Sequence, residues 1–90
     1  MYAALVSVTI DPEVQEAARS ALATDVVPMV SKAPGFVAGY WLEPNDGKGF
    51  SMVLFESEEQ ARQTAPPAGT TPLPGVTVDS VEFRGVAAHA

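Results

Sequence analysis

The sequence predicts a single α+β domain with the element order βαββαβ. Three observations predict it. Ninety residues suit one domain. Apolar periodicity alternates between the two-residue repeat of strands and the longer repeat of helices. Clusters of Pro, Gly, Asn and Asp at 33–35, 44–49 and 66–75 break these stretches apart.

Tyr2 to Ile10 reads as the first strand, with Tyr2, Ala4, Val6, Val8 and Ile10 alternating on one face. The other face carries Ala3, Leu5, Ser7 and Thr9, also small or apolar for the most part. A strand apolar on both faces is covered on both sides. One layer of helices covers one side, so the other needs a second sheet, which predicts a homodimer. Asp11-Pro12 starts a helix: Asp11 accepts from free N–H groups of the first turn, and Pro12 suits the first helical position. Val14, Ala17, Ala18, Ala21 and Leu22 repeat at helical spacing, and Met29 and Val30 extend the stripe. Pro28 removes a hydrogen bond inside this pattern, so a kink or break is expected near Thr24 to Val27. Lys32 suits the last turn, and Ala33-Pro34-Gly35 stops the helix.

Phe36 to Glu43 is the second strand and Phe50 to Glu56 the third, an antiparallel hairpin across the breaker run Pro44 to Gly49. Ser57-Glu58-Glu59-Gln60 is a capping box in which Ser57 caps the second helix and Gln60 reaches back. Pro66-Pro67 ends that helix, and Ala65 to Gly75 is expected to run over the surface as a stiff loop. Val76 to Val86 is the last strand, and its alternation slips between Val78 and Val81, which predicts a β-bulge near Asp79-Ser80.

Composition removes several functions. The net charge is −6, and the five Lys and Arg residues are scattered, so neither nucleic acid nor an anionic membrane is an expected partner. Cysteine is absent, which excludes disulfides, thiolate nucleophiles and zinc-thiolate sites. Met1 to Ile10 lacks the basic start of a signal peptide, and no apolar run reaches the roughly 20 residues of a membrane span, so the expected location is the cytoplasm.

A hairpin in the middle of βαββαβ is the ferredoxin-like pattern, with an antiparallel four-stranded sheet. Ala33-Pro34-Gly35-Phe36, the Asp46-Gly47 turn and Phe55-Glu56-Ser57-Glu58-Glu59 sharpen it. Together they resemble the dimeric α+β barrel superfamily, in particular small proteins related to antibiotic-biosynthesis monooxygenases. The resemblance covers nearly the whole chain, and it implies two sheets facing each other across a dimer axis. Haem-degrading members use an Asn on strand one, a Trp at the end of strand three and a His on helix two. The matching places here hold Ser7 and Phe55, and the second helix has no His. Members that form quinones without a cofactor use Trp, Asn, Tyr and Arg. Here Tyr40 and Trp41 lie on strand two, so no catalytic role carries over and no cofactor is expected.

Several other features have plain structural readings. His89 stands alone beside the C-terminus and cannot form a metal site by itself. Glu56, Glu58 and Glu59, like Asp11, Glu13 and Glu16, suit the positive end of a helix. Glu82 and Arg84 share a strand face and read as an exposed ion pair on an edge strand. Gly47-x-Gly49 is a turn, since no helix follows it.

Phe36, Tyr40, Trp41, Phe50 and Phe55 cluster on the central hairpin, with Gly39 leaving space in the same strand. The candidate ligand-binding residues are therefore Ser7, Tyr40, Trp41 and Phe55, around a flat hydrophobic or aromatic molecule. Tyr40 and Trp41 are adjacent and point to opposite sides of the sheet, so only one of them can line a cavity against the helices. Two functions follow. One is a dimeric binder of a small aromatic molecule without a conventional catalytic centre. The other is a cofactor-independent enzyme of the monooxygenase or isomerase kind acting on such a molecule.

Overall fold

The computed structural model describes residues 1–90, in the order β1 (Tyr2–Ile10), a 3₁₀ turn (Pro12–Val14), α1 (Gln15–Ala21), a π-helical stretch (Leu22–Val26), α2 (Val27–Ser31), β2 (Phe36–Trp41), β3 (Lys48–Phe55), α3 (Glu58–Thr64) and β4 (Val76–Gly85). The four strands form one antiparallel sheet in the order β2-β3-β1-β4, with the helices on one face. This is the expected ferredoxin-like α+β fold.

The first helical region starts as its sequence dictates. Asp11 accepts a hydrogen bond from the Glu13 N–H at 3.0 Å, and Pro12 sits where no donor is needed. The kink or break expected near Thr24 to Val27 takes the form of a π-helical stretch over Leu22–Val26. There Val27 N–H donates to the Leu22 carbonyl, one residue further back than in an α-helix. α2 follows directly with Pro28 near its beginning, where a missing N–H is best tolerated. The rod therefore winds through the proline without ending.

The hairpin is tighter than the sequence suggests. Asp46 and Gly47 both have positive φ, 53° and 74°, and Asn45 and Lys48 exchange two backbone hydrogen bonds around them. That is a type I′ turn, whose twist matches the flanking strands. Consequently β3 starts at Lys48 rather than Phe50, and Gly49 is a buried strand residue opposite Val8. β2 stops at Trp41, two residues short of Glu43. The expected bulge in β4 is present: the β1–β4 register shifts between Ser7 and Val8, leaving Asp79 unpaired between Val78 and Ser80. Asp79 accepts from Thr9 Oγ1 at 2.6 Å.

Only half of the capping box forms. Ser57 Oγ accepts from the Gln60 N–H at 3.3 Å, but the Gln60 side chain does not return to Ser57. It lies over Gly35, where φ is +80° and an added Cβ would fall 1.9 Å from Oε1. Packing over the turn before β2 outcompetes the reciprocal cap, and Gln60 Oε1 is buried without a hydrogen-bond partner.

The stretch after α3 is irregular, as expected, yet it does not simply cross the surface. Gly69 N–H donates to the Val78 carbonyl at 2.8 Å, and Val78 N–H to the Thr70 carbonyl at 2.9 Å. These bonds cover part of the free edge of β4, the kind of edge that otherwise recruits other strands. At the end of the stretch, Gly75 accepts from the Asp11 N–H at 2.8 Å. Gly75 has φ +79°, and a Cβ there would lie 2.1 Å from Val14 Cγ2. A Gly75→Ala change strains the backbone and pushes the stiff Val14 side chain, so a loss of about 1–2 kcal/mol or more is expected. Urea denaturation checks it; an unchanged midpoint would contradict the packing described.

The core is small and off-centre. Ala4, Val30, Val53, Phe55 and Ala61 form it, with Tyr2, Phe36, Trp41 and Phe83 packed around them. Phe36 meets Phe55 edge to face with ring centres 6.4 Å apart. Thus α2 and α3 pack on the sheet, whereas α1 and the π stretch make few contacts with any strand. Only 11 of 90 residues are buried, which leaves much of the apolar content to line a cavity or an open face. No helix is long and apolar enough to cross a membrane.

Candidate ligand cavity

Strand register decides which side chains share a face. The row opposite Val53 holds Ala4 on β1 and Gly39 on β2; the next row holds Val6, Ser51 and Trp41. With Val8, Ile10, Val76 and Val78 these residues form the helix-facing side of the sheet. Between that floor and the α1–π–α2 rod lies a cavity of about 470 Å³. Ala18, Leu22 and Val26 form its roof with Met29 at the edge, and Pro66, Pro72 and Leu73 line one end. Its volume falls within the range of small-molecule sites, roughly 300–1,000 Å³.

The cavity follows from the helix sequence. Ala18 presents a short, buried side chain toward the sheet, so the first half of the rod does not fill the space above the floor. Farther along, Val30 is buried and does reach it. The Pro-rich stretch is the surface loop expected of it, with residues 67–72 exposed, and it also supplies stiff residues at the end wall.

The sequence candidates divide between two faces. Trp41 and Phe55 both lie on the cavity side, and Phe55 is 1% exposed. Ser7 pairs with Phe50, and Tyr40 with Met52, on the opposite, open side. Ser7 and Tyr40 therefore do not line this cavity. The space left at Gly39 is taken by the Trp41 ring, whose Cη2 and Cζ3 lie 2.7 Å from where a Cβ would stand. A small residue on β2 thus lets the indole lie against the floor.

Ser51 is the residue that sequence reading missed. It is the one hydroxyl on the helix-facing side of β3, between Gly49 and Val53, and it lines the cavity directly opposite Trp41. Its parity with Val53 and Phe55 was the available signal. Neither the Ser51 hydroxyl nor the Trp41 indole N–H has a hydrogen-bond partner in the chain. Charge is confined to the rim, where Arg19 Nη2 donates to Glu43 and ties α1 to the segment after β2. Asp25 also lines the rim and makes no ion pair. Both partners of the Arg19–Glu43 pair are more than half exposed, so the tie is worth about 0–1 kcal/mol and opens readily.

The remaining polar features sit elsewhere. Arg62 pairs with Glu58 at 2.8 Å on α3 and stacks 4.4 Å above the Phe83 ring. Glu82 and Arg84 form the expected exposed pair, 2.7 Å apart on edge strand β4. His89 lies beyond β4 and outside the cavity. No group of three His, Cys, Asp or Glu side chains stands together anywhere in the chain.

The open face of the sheet is a second apolar surface. Leu5, Met52 and Leu54 occupy its centre with Tyr40 and Phe50 beside them, 54% and 40% exposed. Polar groups flank it: Lys48, Thr9 and Asp79 at one end, Glu82 and Arg84 on the β4 side.

No protein-family model matches the chain, and a comparison with curated proteins finds no match. Among solved structures, the chain is similar to the crystal structure of a MhuD variant with two manganese protoporphyrin IX molecules bound per active site. The two superpose with a TM-score of 0.76 at 19% identity, over 100% of this chain and 98% of that one. The fold of this chain is thus the ferredoxin-like fold to which the Pro34-Gly35-Phe36 and Asp46-Gly47 stretches pointed.

Trp41→Phe keeps most of the apolar contact and removes the indole N–H, whereas Tyr40→Phe removes a hydroxyl from the open face. Because the Tyr40 hydroxyl is not hydrogen-bonded in the chain, Tyr40→Phe should keep the melting temperature within about 2 °C of the parent, whereas Trp41→Phe should lose more, since the smaller ring leaves the space over Gly39 unfilled. A larger drop for Tyr40→Phe would show that its hydroxyl has a structural partner.

Proposed function

We propose that the protein binds a small, flat, apolar molecule in the cavity between the sheet and the α1–π–α2 rod, as a homodimer whose open sheet faces pack together. The observation that carries this reading is the cavity itself: a largely apolar, partly open cleft in a chain whose own core is small. Trp41 and Phe55 supply flat aromatic surface, and the stiff Pro66 and Pro72 fix one wall. The π stretch supports it too, since such bulges gather at functional sites.

The dimer rests on the open face. A patch of Leu5, Met52, Leu54, Phe50 and Tyr40 with polar flanks has the composition of an interface core with its rim. Ser7 and Tyr40 belong to that face in this reading. The cytoplasm remains the proposed location.

The metalloporphyrins bound by MhuD do not fit this lining. Iron in haem takes its axial ligand from His, Cys, Met or Tyr. Of these, the lining offers Met29 alone, 67% exposed at the edge. Two propionates call for cations, and Arg19 is the single one present, already paired. A binding role also suits the residues better than catalysis. A serine becomes a nucleophile when a base takes its proton, and Ser51 has no base beside it.

Trp41 is the only tryptophan, so its emission reports on the cavity directly. Titration with a panel of small fused-ring aromatic compounds should give a saturable change in that emission and raise the melting temperature. A panel that alters neither would defeat the reading.

A further inference from the structure

Ser51 and Trp41 stand opposite each other on β3 and β2, so their Cβ atoms are neighbours across the strands. One brings a hydroxyl, the other an N–H donor, and neither is used by the protein. Around them the floor is Val6, Val8, Val53 and Gly49. A half-buried polar pair in such a wall is a place where a partner is wanted, because polar groups taken from water need hydrogen bonds. Both groups are neutral, and both can donate. They suit one uncharged oxygen that accepts from the indole and exchanges a hydrogen bond with the hydroxyl.

The rim argues in the same direction. Arg19, Glu43 and Asp25 together leave it with a net negative charge, and the whole chain carries −6. An anionic ligand would meet repulsion on entry and no free cation inside. Resting on the cavity reading above, we propose that Ser51 Oγ and Trp41 Nε1 are the polar anchor of the cavity, and that its ligand is an uncharged, flat, apolar molecule carrying a carbonyl or hydroxyl oxygen at the anchored end. The anchor sets which way round the molecule lies; the apolar walls supply most of the affinity.

Three probes of one shape separate these elements: naphthalene, 2-naphthol and 2-naphthoate, titrated calorimetrically into the parent protein, Ser51→Ala and Trp41→Phe. The expected order for the parent is 2-naphthol tightest, by about two- to tenfold over naphthalene, with 2-naphthoate weakest. Ser51→Ala should remove most of the 2-naphthol preference over naphthalene. Trp41→Phe should remove part of the same preference. Equal binding of naphthalene and 2-naphthol, or a preference untouched by Ser51→Ala, would overturn the anchor while leaving the cavity reading standing. Tightest binding of 2-naphthoate would overturn the uncharged ligand. Failure of all three probes to bind would overturn both the anchor and the cavity reading.

Discussion

Phe55→Ala is expected to leave the chain largely unfolded, or close to it, at room temperature. Phe55 is 1% exposed, meets Phe36 edge to face and touches the cluster of Ala4, Val30, Val53 and Ala61 that holds α2 and α3 on the sheet. Removing such a ring costs about 3–5 kcal/mol, from the lost burial and the void left behind. A domain of this size has roughly 5–15 kcal/mol in total, and one with so small a core lies toward the lower end. Circular dichroism during urea denaturation measures the loss. Phe55→Leu, which keeps most of the volume, should lose much less. A Phe55→Ala protein within about 1 kcal/mol of the parent would show that Phe55 serves the cavity and that the core lies elsewhere.

Met52→Glu is expected to convert the proposed homodimer to single chains at micromolar concentration. Met52 lies on the open face, directly between Leu5 and Tyr40 in the strand register. On an exposed surface the change costs little, so the folded chain should survive. In an interface it buries a carboxylate on each side of the axis, at several kcal/mol per charge, and Glu82 beyond Leu5 adds like charge. The dissociation constant should rise by about a thousandfold or more. Sedimentation should find two chains per particle for the parent and one for the variant. A parent protein already sedimenting as one chain, or a variant unchanged from it, would refute the sheet-to-sheet dimer.

Much of this architecture is legible because it rests on local rules. The alternation from Tyr2 to Ile10 assigns its residues to two faces, and the register with β3 and β4 keeps that division. Asp46-Gly47 marks its turn because both positions need positive φ. The slip between Val78 and Val81 marks the bulge at Asp79. What stayed hidden depends on distant neighbours. Parity says that Tyr40 and Trp41 part company, but only the packing of the rod says that Trp41 takes the helix side. Gln60 obeys a capping pattern until Gly35, brought close by the fold, offers it another place. Pro28 announces a lost hydrogen bond, yet whether a helix breaks or winds through a π stretch depends on what the next turn can pack against. Ser51 was overlooked because a lone hydroxyl inside an apolar strand reads as noise until the strand beside it places Trp41 opposite.

The central claim is that ligand binds between sheet and rod. Amide NMR of the uniformly labelled parent protein, titrated with 2-naphthol, tests it most directly. Saturable shifts are expected at Ala18, Leu22, Val26, Ser51 and Val53 and at the Trp41 indole N–H, with Thr77, Ser80 and Glu82 on the open face unmoved. Shifts confined to the open face, or no saturable shift at any of the cavity residues, would contradict it.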